Sequence, residues 1–485
     1  MILSSSFGLT SVAFGQSGAK NNDNTFRDDV VTVAASRKYI PHSFLRRVIM
    51  GNNYRREWAE PVTVPVFRLQ KSGLIIKELG GGMQTKSLSL MDRQNREWVL
   101  RSVDKDARGA LPKKIRNGFT IKVVQDMISA AHPYGALVVG QLAESAGIVA
   151  PKPTLYFIPD DPAFGEHQRT FANMLCFLEQ KEPTPDRSDA QDTDEVLKEL
   201  VAENDHLVLQ KKVLKARLLD MLVADWDRHA DQWKWGTVPT KGTTYYYAIP
   251  RDRDQAFFRS GGLLPRLAKA FGMRHINWFK EESRGIKQLS VKSWKFDKIF
   301  LNELGAAEWK QTITEFQNSL SDTAIQKAVS RLPGEVYAIS GNELASRLIS
   351  RRNTLMENAL KYYRFIASTV DIAGSSEDEL FTVTGLGESI TITVHRYDGA
   401  VKGTKIYERS FDPSETGIVY LNGLEGNDRF VVEEGSGSKI KIKIKGGDGA
   451  DSYDLKGKFK VEVDDTTTDT DLQRQVKTAK SRSKG

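Results

Sequence analysis

The stretch ADWDRHADQWKW (Ala224–Trp235), followed by YYYAIPRDRDQAFF (Tyr245–Phe258), carries the densest chemistry in this chain. Gln232–Val238 and Thr243–Ile249 flank Pro239-Thr240-Lys241-Gly242, a composition that predicts a hairpin. Pairing about that turn sets Gln232 opposite Ile249 and brings Asp225–Asp231 beside Arg251–Asp254. One hairpin then gathers Asp227, His229, Asp231, Asp252 and Asp254 in a small volume. Clustered carboxylates repel, and they persist where a divalent cation neutralises them. Oxygen donors favour Mg²⁺ or Mn²⁺ over zinc. Magnesium held by carboxylates beside a helical lobe is a phosphoryl-transfer arrangement, with one Asp orienting the attacking hydroxyl. The blander reading pairs Asp252 and Asp254 with Arg228, Arg251 and Arg253 and needs no metal. His229 reads as a loop-holding residue, and Trp226, Trp233 and Trp235 as core.

Upstream, Val62–Phe67 and Gly73–Leu79 read as short strands, the first demoted to an edge by Pro65. Arg96–Lys105 alternates, with Val99, Arg101, Val103 and Lys105 on one face. Helical pattern follows over Phe119–Ala131 and Tyr134–Ala146, broken at His132-Pro133. Thr154–Ile158 and Phe171–Leu178 return to strand. The polar stretch Glu182–Asp194 separates this α+β lobe from a helical one, in which Leu214, Leu218, Met221 and Leu222 form a core-facing stripe.

From Glu377 the apolar period becomes two, as in Phe381/Val383, Ile390/Ile392/Val394 and Ile440/Ile442/Ile444, which predicts an all-β domain. Gly446-Gly447-Asp448-Gly449-Ala450-Asp451-Ser452-Tyr453 matches a calcium-binding glycine repeat, and Gly423–Phe430 matches except at Leu424. The motifs start 23 residues apart rather than nine, so they read as glycine-rich turns of a sandwich, with Phe430–Glu434 and Ile440–Ile444 paired as a hairpin. Strong Ca²⁺ binding at these turns is not expected.

At 485 residues the chain is long enough for about three domains. Its single cysteine, Cys176, excludes a disulfide framework and a multi-cysteine zinc site. The formal charge of +8 is spread along the chain and specifies no nucleic-acid partner. No apolar run is long enough for a transmembrane helix. Ile2–Phe14 is small and apolar and ends in Ala13-Phe14-Gly15, which reads as the remnant of a secretory signal without its charged n-region, and hence as export.

Asp227-Arg228-His229-x-x-Gln232 resembles the Asp-Arg-His-x-x-Asn loop of atypical kinases: the phosphoinositide, persistence-toxin, secreted casein-type and spore-coat kinases. Asp252–Phe257 looks like their metal-binding segment. The resemblance implies ATP or another nucleotide with Mg²⁺ or Mn²⁺, and an unidentified hydroxyl substrate. It makes Asp227 the catalytic Asp, Gln232 an amide ligand where the family has Asn, and Asp252 with Asp254 the metal carboxylates. Gly80, Gly81 and Gly82 would form a phosphate loop, with Gln84, Thr85 and Lys86 beside it. Arg101 or Lys105 would hold the phosphates, and Glu179 would stand at the interlobe hinge. The helix Glu that usually pairs with that cation is missing, with Gly135 and Ala136 in its place and Asp126 or Glu144 as substitutes. NYRREWAEPVTVPVF, GGGMQTKSL, WVLRSVDKD and AAHPYGALVVGQLAESAGI look like a family of exported Gram-negative envelope proteins. In that family the module often lies between a calcineurin-like phosphoesterase and an outer-membrane β-barrel, which implies outer-membrane partners. The expectation is thus an α+β, two-lobe protein-kinase-like fold followed by a small all-β, sandwich-like domain. Its divisions are a signal remnant (1–15), an extension (16–59), an N-lobe (60–181), a helical C-lobe (182–372), the β domain (373–465) and a disordered tail (466–485). A catalytically inactive scaffold on the same fold is the alternative.

Overall fold

The computed structural model describes residues 30–40, 43–81, 84–110, 116–263, 279–283, 285–435 and 437–464. The signal remnant and the tail lie outside them.

The first lobe is an antiparallel five-stranded sheet. Its order is Ile75–Gly81, Lys86–Met91, Glu97–Ser102, Met174–Gln180, Thr154–Ile158. Pro61–Pro65 stays out of that sheet. It pairs with Val30–Ala34 in a two-stranded ribbon, where its flanking prolines interrupt no central ladder. Two helices, Gly118–Met127 and Gly135–Ser145, are inserted before Thr154–Ile158. The strand alternation expected to run to Lys105 stops at Ser102. There the Ser102 hydroxyl donates to the Asp104 carbonyl and the chain turns. Lys105 therefore stands on a loop.

The second lobe is helical. Its central helix, Gln210–Val223, is buried without interruption from Ala216 to Val223, which suits a helix enclosed on all sides rather than one with a single apolar stripe. Ala306–Ser319, Asn342–Asn353 and Leu355–Ala367 pack against it, Trp294–Phe300 is joined to it through Arg217 and Asp297, and Asp322–Val329 packs on Gly135–Ser145. A four-stranded sheet carries the hairpin Trp233–Thr240/Thr243–Pro250.

The C-terminal domain is all-β, with two sheets enclosing one apolar core. Its winding differs from the expected sandwich hairpin. Thr369–Ala373, Ile418–Glu425, Lys441–Asp448 and Lys460–Val463 pair in parallel in one sheet. Glu379–Leu386, Arg429–Val432 and Ser452–Leu455 pair in parallel in the other. Arg429–Val432 and Lys441–Asp448 thus belong to different sheets. Ile418 pairs with Lys441 and Arg429 with Ser452, so the 23-residue motif spacing is one turn of a solenoid. The glycine turns stack, and above them Phe381, Phe430 and Tyr453 form an aromatic ladder with centroid separations of 4.7 and 5.5 Å.

Candidate active site

The central helix ends on Ala224, whose left-handed backbone (φ 55°) lets Asp225 N–H cap the Asp220 carbonyl at 3.0 Å. The loop Asp225–His229 then leads into the hairpin. Its turn is the two residues Lys241-Gly242, with Gly242 at φ +73°, rather than four. Lys234, not Gln232, is therefore opposite Ile249, and Arg251 N–H donates to the Gln232 carbonyl at 2.9 Å. A slip of two keeps every side chain on its face, so Asp225–Asp231 still adjoins Arg251–Asp254.

Buried charge fixes this junction. Arg228, fully buried, reaches Asp220 and Asp225 at 3.2 Å each and donates to the Arg251 carbonyl. Asp220 also pairs with Arg253 and, at 2.7 Å, with Arg217. Burial raises the Asp220 pKa, but Arg228, Arg253 and Arg217 outweigh it and hold the carboxyl below its ordinary value. Asp225 is pushed up to about 7 by burial, which Arg228 only partly offsets. Arg228 and Arg253 thus pair with Asp220, while Arg228 still acts on Asp252 through space.

Asp254 pairs instead with Lys105 and accepts from Gln255 at 3.0 Å. Burial lowers the Lys105 pKa, yet Asp254, Asp252 and Asp227 together hold it above the usual lysine range. Three acids predicted from the hairpin therefore act on one cation of the first lobe. Asp252 stands at φ +53°, a conformation Asp adopts more readily than most residues. Burial and then the Asp254 charge push its carboxyl upward, against Arg101 and Lys105. Arg101 lies 3.4 Å from Glu179, whose pKa burial raises and Arg101 pulls back. Arg101, Lys105, Glu179, Asp252 and Asp254 all line one interlobe cavity of about 90 Å³. Asp227 is not among its lining residues and forms an ion pair with Lys292.

Thr85 lines the same cavity, but its expected neighbours fall elsewhere. Gly80 and Gly81 lie within a strand, opposite Ser87 and Lys86, and Gly82 is outside the described residues. Lys86 sends its ammonium to the Thr170 carbonyl at 2.9 Å, away from the acids. Gln84 accepts through its carbonyl from Asp106 N–H at 2.9 Å, which ties this turn to the Lys105 loop. Neither proposed helix acid reaches Lys105. Asp126 is held by Arg55 (2.5 Å) and Arg46 (2.6 Å), and Glu144 by Lys152 (2.6 Å). Gln125 does the positioning that sequence reasoning missed. Its amide donates to the Lys105 carbonyl at 2.8 Å and accepts from Ala107 N–H at 3.0 Å. Lys292 was also missed, since nothing near it in sequence points to Asp227. His229 lies 3.4 Å from Asp231, and Trp233 and Trp235 are core.

The donor set suits a magnesium-bound nucleotide. Gln232 Oε1 is buried with no hydrogen-bond partner among the described residues, an oxygen that could ligate a cation. Among the described residues no three His, Cys, Asp or Glu side chains converge on a metal position. Magnesium tolerates that, because it takes one or two carboxylates and completes its shell with phosphate oxygens and water.

No family model matches the chain, and neither does any curated protein. Among solved structures it aligns with the proinflammatory kinase CtkA of Helicobacter pylori at 11% identity and a TM-score of 0.30, over 57% of this chain and 94% of that one. It also aligns with the Rio2 kinase of Chaetomium thermophilum, solved as an ADP/Mg²⁺-phosphoaspartate complex, at 12% identity and a TM-score of 0.27. That alignment covers 56% of this chain and 73% of the other. Scores of this size carry no residue correspondence.

Proposed function

We propose that this protein is an atypical kinase-like phosphotransferase that moves a phosphoryl group from ATP or a related nucleotide to a hydroxyl, with Mg²⁺ or Mn²⁺. The observation that supports it is the ion pair between Lys105 of the sheet lobe and Asp254 beyond the hairpin, in a cavity that Arg101 and Asp252 also line, together with the unpartnered Gln232 Oε1. In this reading Lys105 and Arg101 hold the phosphate charge. Asp252 and Gln232 would hold the cation, which when bound neutralises charge on the phosphate oxygens. Asp227, released from Lys292, orients the acceptor hydroxyl and takes its proton. Glu179 orients Arg101. The proposal extends to export and work in the cell envelope beside outer-membrane proteins, with the apolar Ile2–Phe14 run as its support.

A scaffold that has kept the fold is the second reading. It is favoured by the two lysines that occupy Asp227 and Asp254. Metal-dependent ATP turnover, lost in Asp227→Asn, separates the two. Turnover that Asp227→Asn leaves unchanged contradicts the assigned role, and an absence of turnover and of nucleotide binding favours the scaffold. Export is checked by the N-terminus of protein taken from its native host, expected near Gln16; an intact Met1 in the cytosolic fraction contradicts it.

A further inference from the structure

The helix Phe44–Met50 is built inside out. Ser43 caps it, accepting from Arg46 N–H at 3.2 Å. At about 100° per residue, Phe44, Leu45, Val48 and Ile49 share one arc of roughly 140°. A helix on a globular surface turns such an arc toward the core. Here it faces solvent, with Phe44 72%, Leu45 65%, Val48 47% and Ile49 37% exposed. Arg46 turns inward instead, donating to Asp126 Oδ1 from Nε (3.1 Å) and Nη2 (2.6 Å), beside the helix's one buried residue, Met50. Ile40 and Leu263 are exposed too. The chain just before Leu263 packs at the helix C-terminus, where Gly262 abuts Gly51 so closely that a Cβ on either would collide with the other's backbone nitrogen.

The local sequence is basic, and the acid that pairs with the helix, Asp126, is buried. From Val30 to Arg56 the chain has no Asp or Glu, and Arg37, Arg47 and Arg56 are exposed. The Arg47 guanidinium lies 5.7 Å from the Phe44 ring centroid, at the edge of the apolar arc. An apolar strip with Arg47 at its edge, in a stretch of chain free of acids, matches the boundary between anionic headgroups and acyl chains, where the rings enter and the guanidinium meets phosphates. Two copies meeting through this face would bring like charges together, which disfavours self-association as its purpose.

We propose that the helix Phe44–Met50 docks the protein onto an anionic membrane surface. The test is co-sedimentation of the full chain with phosphatidylcholine vesicles, with and without phosphatidylglycerol. The protein is expected to sediment with the anionic vesicles only, and less so as salt rises. Phe44→Ser with Leu45→Ser should weaken binding by roughly tenfold or more, since two large apolar groups no longer enter the bilayer. Arg47→Glu should also weaken it, and serves alone if the double variant does not reproduce the wild-type circular dichroism. Failure of the wild type to sediment with anionic vesicles would overturn the proposal. So would vesicle binding that both variants leave unchanged, or a wild-type dimer that the double variant dissolves while vesicle binding persists.

Discussion

Arg228 makes the site rigid without entering it. Its guanidinium joins the helix end (Asp220), the loop (Asp225) and the segment just after the second hairpin strand (the Arg251 carbonyl), so three segments share one buried cation. Arg228→Ala leaves two buried carboxylates short of a partner and should cost about 3–5 kcal/mol in urea unfolding. Lys105 spans the lobes in a similar way, but its charge faces acids that a bound nucleotide would share. Its position was legible in the sequence as a cation near Arg101, while its partner was not. Reading the strand to Lys105 placed it on the sheet, and the absent helix Glu suggested Asp126 or Glu144. Both of those are consumed by nearer cations. A backbone clamp by Gln125 leaves no charge signature to read.

At the scale of elements, the hairpin was legible because its turn and its two apolar runs are local in sequence. The solenoid was not. Parallel pairing across 23 residues leaves only a weak repeat, and the intervening strands lie on the other sheet, so adjacent runs imitate a hairpin. Once stacked, the glycine turns explain themselves. Asp428 Oδ1 accepts from Glu379 N–H at 2.8 Å, and Asp451 Oδ1 accepts from Asp428 N–H at 2.9 Å, so each acid satisfies the backbone of the turn before it. A Cβ on Gly423 would lie 1.9 Å from Asp428 Oδ2. Gly423→Ala should therefore lower stability by about 1–3 kcal/mol through overpacking, measured by urea unfolding. Burial, with Glu379 next, pushes the Asp428 carboxyl up to about 9. An unfolded Asp titrates near ~4, so between these values the folded chain holds a proton that the unfolded chain has lost. The stability this proton supplies is complete below the lower value and falls as pH rises through the window. A Tm profile should thus decline toward pH 9, and Asp428→Asn should flatten it. A wild-type profile that is flat across the window contradicts the assignment.

Across the whole molecule, the β domain grips the closed end of the hairpin whose open end carries the site. Arg396 donates to the Gly242 carbonyl at 2.9 Å and to Thr243 Oγ1 at 3.0 Å. Arg409 and Tyr407 both donate to the Asn302 carbonyl, at 2.5 and 3.0 Å, anchoring the solenoid to the helical lobe. Arg396→Ala should cost about 1–3 kcal/mol in urea unfolding, the range of hydrogen bonds from a charged donor. The central claim is that the lobes meet to hold a metal-bound nucleotide, and thermal unfolding with ATP, with and without Mg²⁺ or Mn²⁺, tests it most directly. The wild type should gain a Tm increase that needs both nucleotide and metal, whereas Asp252→Asn should melt like the ligand-free wild type and gain nothing from either. An equal metal-dependent gain in Asp252→Asn, or none in the wild type, would contradict it.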